Sequence, residues 1–318
     1  MNKTNIKHYL LSRFKKARFS LFTLYKIMIP FSLASYALAK LGWLPYLGAL
    51  CEPLVGFLDL PPEAGLIWAS CMAVNMYAGL AIAPVLLAGV ELTVTQATVL
   101  GSIILIAHSL PVEVSIAKKA TVPVWQTLTL RIFGALIYGK ILSLTIPLLF
   151  TESISSLRLP AGTSPHEIPF TDWFFEQLLM YGAMALIITG LIFLLDILKA
   201  LHIERLFLII LHPLLKQIGI SNKGSSMLLI GLFLGISYGG SLIIEQVQSG
   251  ECEPNDAYLS MNFLSLCHSV IEDTILMMLL GGALFGLLYG RVVFAFIAIA
   301  ILNSFISNAK KKLITTSH

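Results

Sequence analysis

The chain has 318 residues, of which 57% are hydrophobic and only 12% are charged. A soluble domain usually has about 25% charged residues, so this chain has too few to cover a soluble surface. The composition therefore excludes a soluble protein and predicts an integral membrane protein with the lipid bilayer as a partner. The net charge of +4 comes mainly from basic residues near both ends. Such residues are typical of cytoplasmic anchors and do not indicate nucleic-acid binding.

In chain order, the hydrophobic segments predict a single bundle of membrane helices. A helix needs about 20 apolar residues to cross a bilayer. Two apolar segments, 95–117 and 255–281, each contain a His-Ser pair. Two shorter amphipathic segments, 45–60 and 203–219, each contain a proline and are expected to lie along the membrane surface. The predicted spanning helices are residues 21–44, 65–88, 124–150, 172–201, 224–247 and 284–307.

The charges of the short loops predict how the two His-Ser segments run, because Lys and Arg accumulate on the cytoplasmic side. If both segments cross the membrane as ordinary helices, Lys118 and the basic loop 199–223 fall outside. If each segment enters and leaves on one side, all basic clusters lie inside and the acidic loops 52–63 and 251–256 lie outside. We therefore expect a re-entrant hairpin in each segment, with Pro111 at the first tip.

The two halves of the chain resemble each other at an offset of 160 residues. Opposite loop charges after corresponding segments indicate opposite orientations in the membrane. The predicted fold is an all-α integral membrane protein with two inverted-topology repeats. Each repeat has about three spanning helices, an interfacial helix and a re-entrant helical hairpin. The matches that support the repeat are Pro53 with Pro213, Ala97 with Ala257, His108–Ser109 with His268–Ser269, and Arg131 with Arg291.

The same features predict the order of parts along the chain and its location. We expect a multi-pass protein of the bacterial inner membrane with both termini in the cytoplasm, and no cleavable signal peptide. The predicted parts are a basic cytoplasmic segment (1–20), a first membrane repeat (21–150), an extracytoplasmic Ser- and Pro-rich linker (151–170), a second membrane repeat (171–307) and a basic cytoplasmic tail (308–318).

Two histidines are the main candidates for function, because ionisable groups at membrane depth are costly to keep there. His108 and His268 are each followed, five residues later, by a carboxylate, Glu113 or Asp273. The repeated pattern favours binding of a solute, metal or proton over two histidines held only by backbone carbonyls. The carboxylates could take a proton, bind a cation or a cationic group, or neutralise nearby arginines, and the sequence leaves these roles open.

The other candidates are two arginines and the polar or small residues near expected helix breaks. Arg131 and Arg291 are charge partners for the carboxylates or extend to the membrane surface, and the second arrangement is favoured. Small residues inside a helix allow it to unwind around a ligand, and they equally allow close helix packing. The remaining candidates are Ser109, Ser269, Glu272, Asn75, Tyr77, Gly79, Tyr238, Gly239 and Gly240.

The stretch from Ile106 to Glu113, followed by Ala117, Lys118 and Lys119, resembles the Gate, or nucleoside-recognition, domain family. That family includes spore maturation proteins A and B, and related domains occur in ferrous-iron permeases and concentrative nucleoside transporters. The resemblance implies inverted repeats with re-entrant hairpins. Iron permeases of this type carry Cys-x-Val-Pro where this chain has His-Ser-Leu-Pro, and the missing cysteine argues against iron.

The sequence thus predicts a secondary transporter or permease of a small polar solute, nucleoside-like or another small organic compound. Its site would lie between two hairpin tips and couple to ions or protons. The alternatives are a scaffold or regulatory subunit of a larger complex, and a divalent-metal permease. We do not expect an enzyme, because His108 and Ser109 are neighbours that would not face each other on a helix. No cofactor or resident metal is expected, and a homo-oligomer is left open.

Overall fold

The computed structural model describes residues 18, 21–22, 25–26, 29–30, 32–34, 36–150, 153–154, 169–201, 203–250 and 252–315. These residues form a helical bundle, and the described part has no β-sheet beyond a single bridge between Thr93 and Ile154. The all-α prediction is therefore confirmed. The predicted segment 1–20 and the linker 151–170 lie largely outside the described residues.

Thirteen α-helices and one π-helix follow one another in the part of the chain that is described. They are α1 (described in part between residues 18 and 40), α2 (Leu44–Gly56), α3 (Pro62–Ala73), α4 (Met76–Leu86), α5 (Val94–Ile106), α6 (Leu110–Lys119), α7 (Val124–Leu149), α8 (Phe170–Ala200), α9 (Ile203–Gln217), α10 (Asn222–Gln248), α11 (Pro254–Leu266), α12 (Glu272–Leu279), the π-helix Phe285–Gly290 and α13 (Arg291–Thr315).

Two continuous helices among the described residues are long and apolar enough to cross a membrane, Val124–Leu149 and Phe285–Ile306. The pair Val94–Ile106 and Leu110–Lys119 passes the same test if it is counted as one bent span. These helices fit the membrane protein that the composition predicts. The two segments expected at the membrane surface are helical as well, with Pro53 inside α2 and Pro213 inside α9.

The segment 65–88, predicted as one spanning helix, is a helical hairpin made of α3 and α4. The chain leaves helical geometry at Val74 and Asn75, and the Asn75 side chain accepts from the Ala78 amide to cap α4. A Cβ atom on Gly79 would lie 2.8 Å from the carbonyl oxygen of Ile67. In a continuous helix residues 67 and 79 would be about 18 Å apart. We call this unit the first hairpin.

The segment 224–247 is also folded back, with its break inside α10 at Gly235. Gly235 has φ 73° and ψ 165°, a conformation open essentially only to glycine. A Cβ atom on Gly239 would lie 2.8 Å from the Cγ2 atom of Ile230. Those residues would be about 13 Å apart in an unbroken helix. We call this unit, with its tip at Gly235, the second hairpin.

The first His-Ser segment runs in one general direction. Its helices α5 and α6 meet at a bend of 41°, where a hairpin would require near-reversal. A capping box between Thr93 and Gln96 begins α5, and Pro111 lies in the first turn of α6, where a missing amide is tolerated. The pair packs antiparallel to α7 along its whole length. The contacts run from the Val94 amide with the Ser153 carbonyl to Glu113 with Arg131.

The second His-Ser segment has the same course, with α11 and α12 antiparallel to the π-helix and α13. The Phe263 ring lies against the Phe296 ring, with centroids 5.0 Å apart. Further along, Arg291 lies against the His268 carbonyl and Thr274. We call α5–α6 the first broken helix and α11–α12 the second broken helix.

The structure therefore differs from the prediction of re-entrant hairpins at 95–117 and 255–281. The helix breaks expected in 65–88 and 224–247 are present, but at each of them the chain folds back. The physical reason is that a hydrophobic segment of about 20 residues can cross once, or fold back once into two short helices, with similar composition. A proline such as Pro111 bends or interrupts a helix without reversing it. Only the packing of each segment against its neighbours distinguishes the two courses.

Candidate functional site

The two helix breaks at the His-Ser pairs have the same backbone geometry. Ser109 has φ 48° and Ser269 has φ 46°, left-handed values that are unusual for residues other than glycine. The Ser109 amide donates to the Cys71 carbonyl over 2.8 Å, and the Ser269 amide donates to the Gly231 carbonyl over 3.1 Å. In each half, the first arm of the hairpin thus accepts a hydrogen bond from the serine at which the broken helix is interrupted.

The backbone also fixes both histidine rings in matching orientations. The Nδ1 atom of His108 lies 2.8 Å from the Ile104 carbonyl oxygen, and that of His268 lies 2.7 Å from the Leu264 carbonyl oxygen. The two Nε2 atoms consequently point towards each other and are 3.4 Å apart. Both side chains are buried. The predicted pair is thus brought together at the centre of the described bundle.

Two of the predicted carboxylates lie beside this histidine pair. The Glu113 oxygens are 3.3 Å from the Nε2 atom of His108 and 3.5 Å from that of His268. An oxygen of Asp273 is 3.8 Å from the Nε2 atom of His108. Both carboxylates are more than nine-tenths buried. Four side chains from the two broken helices therefore converge on one small volume.

The arginines differ from the favoured expectation, since both are fully buried and neither extends to a membrane surface. Arg131 forms an ion pair with Glu113 through Nη1, and its Nε donates to the Ile106 carbonyl over 2.7 Å. Burial is possible because the break in the first broken helix leaves that carbonyl without a helical partner. Arg131 thus has the ion pair with Glu113 that one of the two alternatives requires.

The second arginine has a different set of contacts. Arg291 Nη2 donates to the His268 carbonyl over 3.3 Å and lies 3.5 Å from the Thr274 hydroxyl. It thus supports the second break as Arg131 supports the first, but through neutral groups. The carboxylate at the equivalent place, Asp273, is directed towards His108. The two halves are alike in backbone and differ in charge.

Both hairpins reach across to the other half near their tips. The Tyr77 hydroxyl, just after the first tip, donates to Glu272 over 3.0 Å. The Ser237 hydroxyl, just after the second tip, donates to Glu113 over 3.2 Å. A hairpin of one half and a broken helix of the other therefore share each of these hydrogen bonds.

A cavity of about 230 Å³ lies where the two tips and the two breaks meet. Most of its polar lining had been predicted from the sequence. It is lined by Val74, Asn75, Met76, Tyr77, His108, Ser109, Val112, Glu113, Leu234, Gly235, Ile236, Ser237, His268, Ser269, Glu272 and Asp273.

Three predicted glycines do not line the cavity. Gly79, Gly239 and Gly240 lie inside helices, where they allow close packing. A Cβ atom on Gly240 would come within 2.6 Å of the Ile116 side chain in the first broken helix. The side chain of Tyr238, another predicted site residue, lies outside the described part of the structure. These three glycines therefore allow close packing of helices, which is the second of the two explanations that the sequence allows for small residues inside a helix.

Sequence reasoning missed Gly235, which forms the second tip, and Val74, which lies at the first. Gly235 is one of several glycines in α10, and nothing in the sequence distinguishes a glycine with positive φ from one that allows packing. The separation between the two tips, at positions 74 and 235, is one residue longer than the separation between the two histidines.

Comparison with known proteins agrees with a membrane protein. The chain is similar to the uncharacterized membrane protein YvoD of Bacillus subtilis (strain 168), with 26% identity over 274 residues. The alignment covers 85% of this chain and 86% of that protein. No protein-family model matches the chain, and no solved structure matches it. The resemblance to the Gate family thus stays a prediction from the sequence.

Proposed function

We propose that the protein is a secondary transporter of a small polar solute in the bacterial inner membrane. The observation that carries the proposal is the cavity of about 230 Å³ between two hairpin tips and two helix breaks. In a membrane, non-helical backbone is tolerated where it is buried in protein or lines a wet cavity. Interrupted helices that meet around a polar site are the usual construction of secondary transporters.

The proposed topology keeps two inverted repeats but exchanges the roles of two segments. In each half the hairpin enters and leaves on one side, while the broken helix crosses. The N-terminus, Lys118, the loop 199–223 and the C-terminal lysines then all lie in the cytoplasm, which agrees with the distribution of basic residues. The loop between the second hairpin and the second broken helix moves inside, whereas the sequence analysis put its acidic residues outside.

Contacts between the halves support a site that can open alternately to each side. The first hairpin contacts the second broken helix through Tyr77 and Glu272, and the second hairpin contacts the first broken helix through Ser237 and Glu113. Rocking of one repeat against the other would change both contacts at once. Alternating access by such a movement around a fixed site is common in transporters with inverted repeats.

A scaffold or regulatory subunit of a larger complex is the competing function. A scaffold needs folded surfaces for its partners, and it has no need for a polar cavity between its two halves. Buried ionisable groups that serve only packing are expensive in a bilayer. The buried histidines and carboxylates therefore favour transport.

Accessibility of the cavity from both membrane faces tests the proposal without knowledge of the solute. A cysteine at Ser237, which lines the cavity, should react with a small charged thiosulfonate both in right-side-out and in inside-out vesicles. The unmodified chain measures the background reaction of the four native cysteines, three of which are buried. Lys118→Cys, at the end of the first broken helix, should react from one side only. Reaction of Ser237→Cys from a single side, or from neither, would contradict a transporter.

A further inference from the structure

The hydrogen bonds of the two histidines determine which nitrogen carries the proton. A carbonyl oxygen can only accept, so the Nδ1 atoms facing Ile104 and Leu264 must both carry hydrogen. A neutral imidazole has one N–H, so the Nε2 atoms of His108 and His268 are both acceptors when the rings are neutral. At a separation of 3.4 Å, two nitrogen lone pairs face each other.

The groups next to these nitrogens are acceptors as well. Carboxylate oxygens of Glu113 lie 3.3 Å and 3.5 Å from the two Nε2 atoms, and one from Asp273 lies 3.8 Å from that of His108. Such a set is unfavourable unless a cation lies among its members, because ionised carboxylates and neutral imidazole nitrogens have no hydrogen to share. The cation is either a proton, on a ring or on a carboxyl group, or a metal ion.

We propose that His108, His268 and Asp273 bind a divalent transition-metal ion, and that this ion is the transported solute. Their ligand atoms all lie within 4.8 Å of one another, and all three side chains are more than nine-tenths buried. The identity of the solute rests on the proposed transport function, whereas binding of the ion does not. The sequence analysis expected no resident metal and kept a divalent-metal permease as one alternative.

The distance between the two histidine nitrogens fits a metal ion better than a shared proton. In a tetrahedral zinc site with bonds of about 2.0–2.1 Å, two ligand nitrogens are about 3.3 Å apart. The two Nε2 atoms are 3.4 Å apart, which is longer than a good hydrogen bond between nitrogens. The carbonyls on the Nδ1 atoms supply the outer support that metal-bound histidines usually have.

The ligand types and charges narrow the class of ion. Two imidazoles and a carboxylate suit zinc, iron, nickel or cobalt better than magnesium or calcium, which prefer oxygen ligands alone. The charged side chains at the cavity and its two breaks are the carboxylates Glu113, Glu272 and Asp273. Against them stand two buried guanidiniums, of Arg131, which is paired with Glu113, and of Arg291 at the second break. A site with excess negative charge attracts a cation. Its fourth ligand position remains available to water or to Glu113.

Metal binding by the full chain, purified in detergent and stripped with a chelator, tests the site. Zinc titrated calorimetrically should bind with a stoichiometry of one ion per chain. Cobalt should give the visible absorption of a tetrahedral nitrogen-oxygen site. His108→Ala and His268→Ala should each weaken zinc binding about a hundred-fold or more, as expected for the loss of a ligand. His212→Ala is the matched control, because His212 is half-buried on α9 and belongs to another contact, with Ser225.

The possible outcomes separate the metal site from the transport function. Failure of the stripped wild-type chain to bind zinc, or binding that survives both histidine substitutions, would overturn the proposal. If those two variants do not elute as folded protein, Asp273→Asn, which keeps the side-chain shape, should still weaken zinc binding about ten-fold or more. Proteoliposomes that contain a zinc indicator then report flux. Stoichiometric binding without flux would show that the protein binds zinc but does not transport it. The accessibility of Ser237→Cys tests the transport function separately.

Discussion

The hydroxyl group of Tyr77 donates to the carboxylate of Glu272 across the two halves of the chain, over 3.0 Å. This bond fixes the first hairpin to the second broken helix beside the cavity. Tyr77→Phe removes the hydroxyl and keeps the ring, so it should lower the free energy of unfolding by about 1 kcal/mol. Thermal unfolding in detergent would measure the loss. Tyr289→Phe, at an exposed position, is the control and should have no effect. Equal melting temperatures for both variants would show that the bond adds no stability.

The buried pair of Glu113 and Arg131 should be sensitive to the loss of either partner. Removing one member of a buried ion pair leaves an uncompensated charge, at a cost of about 3–5 kcal/mol. Glu113→Gln and Arg131→Met should therefore each destabilise the protein strongly. The double variant should be less destabilised than the sum of the two single variants, because it leaves no unpaired charge. Melting temperatures of the four proteins test this, and simple additivity would mean that the two groups do not interact.

Gly235 should resist replacement because of its backbone conformation. With φ 73° and ψ 165°, any side chain at this position costs about 1–3 kcal/mol. Gly235→Ala should thus lower the melting temperature. Gly182→Ala is the matched control, since it lies in α8 with no atom near its added Cβ, and it should raise stability by about 1 kcal/mol. A stable Gly235→Ala variant would indicate that α10 runs straight through.

The course of the hairpins predicts the side on which the loop after α10 lies. A cysteine at the exposed Ser249 should be labelled by an impermeant maleimide from the same side as one at Lys118. The sequence-based arrangement, with hairpins at the His-Ser pairs, puts these two positions on opposite sides. Labelling from opposite sides would therefore restore that arrangement.

The native Cys252 nearby should not disturb this measurement. Burial raises the pKa of its thiol to about 11, so the reactive thiolate is scarce at neutral pH. The unmodified chain, labelled in parallel at pH 7.4, should accordingly show little reaction. Strong labelling of the unmodified chain would show that Cys252 is accessible, and it would then have to be replaced by alanine.

The sequence predicted the polar members of the site better than the path of the chain. His108, His268, Glu113 and Asp273 were identifiable because ionisable residues are rare in apolar segments, and they recur at one offset. The other three side chains come within 4 Å of the Nε2 atom of His108, and this depends on packing between distant segments. The burial of Arg131 could not be predicted either, because it depends on a carbonyl released at a break in another helix.

The hairpins were assigned to the wrong segments for a similar reason. Loop charges restrict how many times a chain crosses the membrane, and both arrangements give three crossings in each half. They do not determine which of two neighbouring apolar segments turns back. That choice depends on contacts such as the one between Gly79 and Ile67, which need a tip at Val74 and Asn75. Neither tip has a sequence signal as strong as Pro111.

The crossed hydrogen bonds of Tyr77 with Glu272 and of Ser237 with Glu113 have a consequence for the origin of such a protein. Neither half encloses the cavity, because each hairpin tip is completed by the broken helix of the other half. A half-length ancestor would have formed no binding site as a monomer. In the proposed topology of two inverted repeats, it would have needed to insert into the membrane in both orientations and to pair as an antiparallel homodimer. Gene duplication and fusion would then have fixed the orientation of each half and allowed them to diverge, as the different surroundings of Arg131 and Arg291 illustrate.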